Sequence, residues 1–163
     1  MKRGTIEKTL VTLVLVSWYV WMPQRGYVSG CEDIPGHYLY MLSHANVWHL
    51  TGNLFVLWLM KGKLHLPSSL LIAVLASFVP AVGTVWDGFV PSGVTLGFSG
   101  VLFAMIGINW GIYVGDARYQ RSAVSDFCIK VLPFALVGVL IPHVNWCIHL
   151  YCLLAGFVYG RYR

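Results

Sequence analysis

Apolar residues in this chain come in long runs, and short polar or basic clusters separate them. Leu10 to Met22 is apolar and closes at Pro23. A second run opens near Asn46 and stops at Lys61-Gly62-Lys63. A third follows Pro67 as far as Trp86, with Pro80 inside it, and a fourth opens at Ser99 and fades after Val114. Phe127 to Ile141 and Trp146 to Tyr159 complete the series. A bilayer-spanning helix needs roughly 20 mainly apolar residues, so six runs leave no room for a separate soluble domain. The pattern predicts helices over about 6–22, 46–60, 67–86, 99–114, 127–141 and 146–160. The fold class it predicts is an all-α integral membrane protein, with residues 1–163 as a single membrane domain.

The stretch 24–43 fits neither a span nor a solvated linker. It is broken by Gly26, Gly30, Pro35 and Gly36, yet carries Tyr27, Tyr38, Tyr40 and Met41. A loop lying in the outer interface accounts for both features.

Composition and charge sharpen this picture. Of the 163 residues 58% are hydrophobic and 10% charged, and mean hydropathy is +0.70; soluble domains are roughly a quarter charged. The net charge of +5 would suit a nucleic-acid partner only if it were gathered on a folded basic face. Instead every Lys and Arg except Arg25 falls in a cluster at the end of an apolar run: Lys2, Arg3 and Lys8; Lys61 and Lys63; Arg118, Arg121 and Lys130; Arg161 and Arg163. These clusters follow the positive-inside rule. They predict cytoplasmic N- and C-termini and exclude nucleic acid as a partner. A bacterial inner membrane, with the opposite face toward the periplasm, fits this arrangement.

The basic head and short apolar core also resemble a signal peptide, and Val28-Ser29-Gly30-Cys31 resembles a cleavage box. Pro23 to Gly26 separates that box from the core, and Trp18 and Trp21 suit an interfacial anchor, so the segment is read as the first span. The four cysteines lack C-x-x-C spacing, which argues against structural zinc. Unpaired small residues are the favoured reading, with a disulfide between Cys31 and Cys147 the alternative.

Candidate chemistry gathers at three run openings. Thr95-Leu96-Gly97-Phe98-Ser99-Gly100 sets a serine between two glycines, Gly97 and Gly100, at a helix start, where backbone N–H groups are unpaired. His149 opens the last run. In the predicted topology both helices run from outside to inside, so Ser99 and His149 lie at similar depth. Serine is a weak nucleophile unless a base takes its proton, and His149 is the natural base. Gly107, Gly111, Gly115, Gly156 and Gly160 allow the close helix approach that such a bond needs. No carboxylate falls at that depth, which leaves a dyad. His49 and Asn53, spaced i and i+4, share one helix face and can donate to an oxyanion together with the Ser99 amide. A metal held by His44, His49 and His149 would need a further carboxylate or cysteine, and no metal or cofactor is predicted.

Three motifs then coincide. Gly97-Phe98-Ser99-Gly100 has the form G-x-S-G. His44-Ala-Asn-Val-Trp-His49-Leu-Thr-Gly-Asn53 has the form His-x4-His-x3-Asn. His149 is followed by Cys152, Ala155, Gly156 and Gly160. With their order and the six runs, the chain resembles the rhomboid-family intramembrane serine proteases, as a minimal six-helix rhomboid-like bundle. The resemblance implies Ser99 as nucleophile and His149 as general base. It implies an oxyanion hole from His49, Asn53 and the Ser99 backbone, with Gly97, Gly100, Phe103, His44, Cys152 and Gly156 in support. It further implies a partner, a transmembrane protein substrate carrying helix-destabilising residues, cut near the outer face inside the lipid bilayer. The fifth helix would be the mobile gate.

Three departures from the family pattern stand out. Phe103 replaces a tyrosine that stacks on the histidine, and keeps the stacking. Cys152 replaces a glycine; its volume is expected to push the last helix from the fourth, so that Cys152→Gly would raise turnover. Pro35-Gly36-His37 stands where a Trp-Arg pair is common. The alternative functional reading is a non-catalytic rhomboid-like protein that binds and escorts transmembrane helices. A small channel subunit would string polar residues along a pore, whereas here they gather at one depth. Oligomeric state is not readable from the sequence.

Overall fold

The computed structural model of the protein describes residues 3–27, 33–60, 63–79, 94–116, 118 and 145–163. Among them are six helices: α1 (Arg3–Trp21), α2 (Ile34–Leu39), α3 (Val47–Leu59), α4 (Leu66–Ser77), α5 (Ser99–Gly115) and α6 (Trp146–Arg161). The helix expected over 127–141, the continuation of α4 through Pro80, Cys31 and Cys128 lie outside the described residues. Among the described residues, no helix is long and apolar enough to cross a membrane. The 17 residues of α5, at about 1.5 Å per residue, rise about 26 Å.

The helices start where the sequence supplies caps. Asn46 accepts the His49 N–H at 2.9 Å to open α3, and Asn145 accepts that of Ile148 at 3.4 Å to open α6. The stretch 24–43, expected as a loop throughout, contains α2. Asp33 caps this six-residue helix and Pro35 lies in its first turn, where a missing N–H costs nothing. The proline thus starts a helix here. One isolated antiparallel bridge, Tyr27 with Thr95, joins this stretch to the segment before α5.

The centre of the molecule is the contact between α5 and α6, on which α4 also packs, while α1 leans on α3. Glycines set this contact. A Cβ on Gly156 would lie 2.4 Å from the Ala104 carbonyl oxygen, and one on Gly160 2.1 Å from that of Ile108. In return, Cβ atoms on Gly107 and Gly111 would lie 2.2 Å from the carbonyls of Leu153 and Phe157. No side chain fits at such distances, so the two backbones touch. Each helix presents glycines four residues apart to the carbonyls of its neighbour, and both run in the same direction.

Around this seam Val101, Ala104, Met105, Ile108 and Cys152 are wholly buried. The expected displacement by Cys152 is absent. Its Sγ lies over Gly100, 3.5 Å from where a Cβ would stand there, so the missing side chain of Gly100 makes room for the thiol. The periphery is apolar instead: Leu13 and Trp21 of α1, Trp48 and Phe55 of α3, Leu75 of α4 and Leu154 of α6 are all exposed.

Stability measurements test the seam against an open position. Gly156→Leu should cost at least the upper end of the roughly 1–3 kcal/mol typical of overpacking, since a backbone carbonyl cannot swing away. Gly52→Ala on α3, with nothing within 4 Å, should instead gain about 0.5–1 kcal/mol. Equilibrium unfolding in detergent compares the two. By the same measurement Cys152→Gly should destabilise by about 1–2 kcal/mol, through a lost buried thiol and a poorer helix former. Higher stability would restore the idea that Cys152 strains the seam.

Candidate active site

Ser99 is the first residue of α5 and His149 lies one turn into α6. The parallel glycine seam that pairs residue 104 with 156 also brings these two side chains level. Ser99 Oγ and His149 Nε2 are 2.7 Å apart, within hydrogen-bond range for proton transfer. With the ring neutral and its proton on Nδ1, Nε2 accepts the Ser99 hydroxyl. Both residues are half-buried, which leaves the pair reachable.

Phe103, one turn below Ser99, stacks on the His149 ring with centroids 4.6 Å apart and planes 14° apart. The stacking expected of this residue therefore needs no hydroxyl. Among the described residues, the carboxylates of Asp33 and Asp116 pair with Arg25 and Arg118, and no hydrogen bond joins a carboxylate to His149. The ring is fixed by the serine and the phenylalanine.

The residues expected on the second span are brought in to different degrees. His49 reaches the site: its Cε1 and Nε2 lie 2.7 Å from where a Cβ on Gly97 would stand. Gly97 has φ of +127°, a conformation open to glycine, so both its backbone and its lack of a side chain are required. Asn53 is buried, and its Nδ2 donates to the His49 carbonyl of its own helix at 3.1 Å. No hydrogen bond joins it to Ser99. His44 is wholly buried in the segment ahead of α3, its ring edge-on to His49 at 5.2 Å. It receives the Phe98 N–H on Nε2 at 3.4 Å. An amide N–H can only donate, so Nε2 is the bare nitrogen and Nδ1–H faces the Leu42 carbonyl. Burial first, and His49 second, push its pKa down to about 4, which keeps this neutral form. His44 therefore buttresses the turn before Ser99. Gly100 and Gly156 serve packing, against Tyr40 with Cys152 and against Ala104 respectively.

The helix starts differ in one respect that bears on chemistry. Side chains cap α3 and α6, but Phe98 gives α5 no such cap. The first N–H groups of α5, beside Ser99, thus lack a side-chain partner and carry the positive end of the helix dipole. An oxyanion developing beside Ser99 would meet donors there. Among the described residues no group of His, Cys, Asp and Glu is suited to a metal ion.

Sequence reasoning passed over the residues that frame the pair. The Tyr40 carbonyl accepts the Gly97 N–H at 2.8 Å. Gln24 Oε1 accepts the His44 N–H at 2.8 Å. Asn145 Nδ2 donates to Thr95 Oγ1 at 2.8 Å, tying the α6 start to the segment before α5. Only Asn145 carried a signal, as an asparagine directly before an apolar run; the other contacts join distant positions with no local pattern.

Neither comparison with curated proteins nor comparison with solved structures returned a significant match. The family model for the Rhomboid domain matches residues 34–163, a span that includes α2 to α6 and every residue of the candidate site. The chain belongs to the rhomboid family of integral membrane proteins.

Proposed function

We propose that the protein is an intramembrane serine endopeptidase working through a Ser99–His149 dyad. The observation that carries this reading is the 2.7 Å approach of Ser99 Oγ to His149 Nε2 under the Phe103 ring. Rhomboid relatives include proteases and pseudoproteases, and the retained pair favours the first class.

In this mechanism His149 Nε2 takes the hydroxyl proton as Ser99 Oγ attacks the scissile carbonyl. The negative charge on the tetrahedral oxygen is met by the first N–H groups of α5, which has no side-chain cap, and by the His49 side chain. Asn53 joins them once its amide leaves the His49 carbonyl. The imidazolium then returns the proton to the leaving amine, and water repeats the sequence on the acyl-enzyme with the same base.

The substrate is a transmembrane segment of another protein. A helical peptide bond is shielded by its own hydrogen-bonded turn, so cleavage favours segments with Gly or Pro near the cut, where unwinding costs least. The basic clusters favour cytoplasmic termini and a site near the outer face. The exposed apolar periphery suits contact with lipid.

Labelling of the detergent-solubilised protein with a fluorophosphonate probe tests this reading without knowledge of the substrate. Wild type should label, whereas Ser99→Ala and His149→Ala should not, losing at least about a hundredfold in rate. Cys152→Gly should label no faster than wild type. A folded wild type whose labelling survives Ser99→Ala would overturn the dyad. The escort reading would then stand, with Ser99→Ala silent and changes on the outer face of α3 felt instead.

A further inference from the structure

The Pro35-Gly36-His37 segment is built into the core through its histidine. His37 is 3% exposed. Its ring lies between those of Tyr27, at 4.6 Å and 26°, and Phe78, at 4.1 Å and 16°. Its Nδ1 is 2.9 Å from Ser77 Oγ, and Ser77 gives its single hydroxyl proton to the Val74 carbonyl at 2.7 Å. The Ser77 oxygen therefore accepts, and His37 Nδ1–H donates. This His–Ser pair cannot act as a nucleophile and base, because the histidine holds the proton toward a serine already committed elsewhere.

What the pair does is fix α2. Six residues are too few for a helix to persist by itself, so α2 is held by its contacts, and His37 supplies three at once. The backbone beside it is equally tight: a Cβ on Gly36 would lie 2.5 Å from the Gly26 carbonyl, and one on Gly26 2.2 Å from that of Thr95. From this block two lines run to the site. Tyr27, stacked on His37, exchanges both backbone hydrogen bonds with Thr95, at 3.0 and 2.7 Å. Tyr40, at the end of α2, accepts the Gly97 N–H. Thr95 and Gly97 are the two residues that lead into Ser99, and Thr95 is also bound by Asn145 at the start of the helix that carries His149.

We propose that His37 is a positioning residue for the reactive pair: clamped between Tyr27 and Phe78, which follows the end of α4, it sets the Thr95–Gly97 segment and so the approach of Ser99 to His149. The clamp itself rests on the structure alone; only its consequence for catalysis rests on the protease reading.

Hydrogen exchange followed by mass spectrometry on peptides covering 94–99 and 104–112, together with fluorophosphonate labelling rates, tests this on the full chain. His37→Ala should speed exchange of the Thr95 and Gly97 amides by about tenfold and slow labelling to match, while the α5 interior exchanges as before. His37→Phe keeps the ring sandwich and should restore most of both readouts. Unchanged exchange at Thr95 and Gly97 in His37→Ala overturns the proposal. Faster exchange with undiminished labelling overturns the positioning role as well. Should His37→Ala fail to fold, Phe78→Ala removes one wall of the ring sandwich; measurably faster exchange of the same two amides supports the proposal, and unchanged exchange overturns it. A wild type that does not label would count against the protease reading, while the exchange data would still decide the clamp.

Discussion

Direct backbone contact between α5 and α6 is the constraint on which the rest depends. Helices with ordinary side chains at their contact lie roughly 8–10 Å apart. Here Gly107 and Gly111 meet the carbonyls of Leu153 and Phe157, and Gly156 and Gly160 meet those of Ala104 and Ile108. Because both glycine pairs have the four-residue spacing of a helix turn, they fit at only one register. A shift by one residue would drive side chains into backbone. That register carries the serine at the start of one helix to the histidine one turn into the other, although fifty positions separate them. The geometry of the reactive pair is thus set well below it, in the part of the bundle least able to deform.

A seam so placed fixes depth and distance but not the direction in which Ser99 presents its hydroxyl. That falls to the segment leading into α5, which is held from three sides. Tyr27 binds Thr95, Tyr40 binds Gly97, and Asn145 binds Thr95 from the α6 side. Gly97 turns with a positive φ beneath the His49 ring, and His44 closes the space behind Phe98. Each of these contacts pairs a polar group that would otherwise be costly to bury. Satisfying the polar groups and aligning the site are therefore the same structural task.

The apolar runs were legible because a helix that buries little polar surface announces itself by length alone. The serine, histidine and small residues were legible because they open or line those runs. The seam was only half legible: G-x-x-x-G spacing at 107–111 and 156–160 signals close approach, but nothing local says that each glycine meets a carbonyl and not the other glycines. Cys152 was misjudged for the same reason, since the space it fills is the absent side chain of Gly100 on another helix. The stretch 24–43 was least legible. Its order comes from Tyr27 with Thr95, Gln24 with His44 and His37 with Ser77, contacts across 20 or more positions that leave no periodic trace. Pro35, which reads as a breaker, starts a helix because it stands in the first turn.

A serine and a histidine, with no carboxylate bonded to the ring among the described residues, raise the question of what holds the imidazole. In a triad the third group fixes both the tautomer and the plane of the ring. Here the plane is fixed by Phe103, whose near-parallel ring at 4.6 Å restricts rotation of His149 about its side chain. An aromatic face does this without placing a formal negative charge in an apolar bundle, where an unpaired carboxylate would be expensive. What Phe103 does not supply is charge to stabilise the imidazolium formed during proton transfer. In the proposed mechanism that task would fall to the pair itself: the cation would arise only while the oxyanion lies beside it, and the first N–H groups of α5, which has no side-chain cap, would hold that oxyanion in place. The absent side-chain cap on α5 and, among the described residues, the absent carboxylate at His149 would then be two sides of one solution, in which charge is formed and neutralised locally.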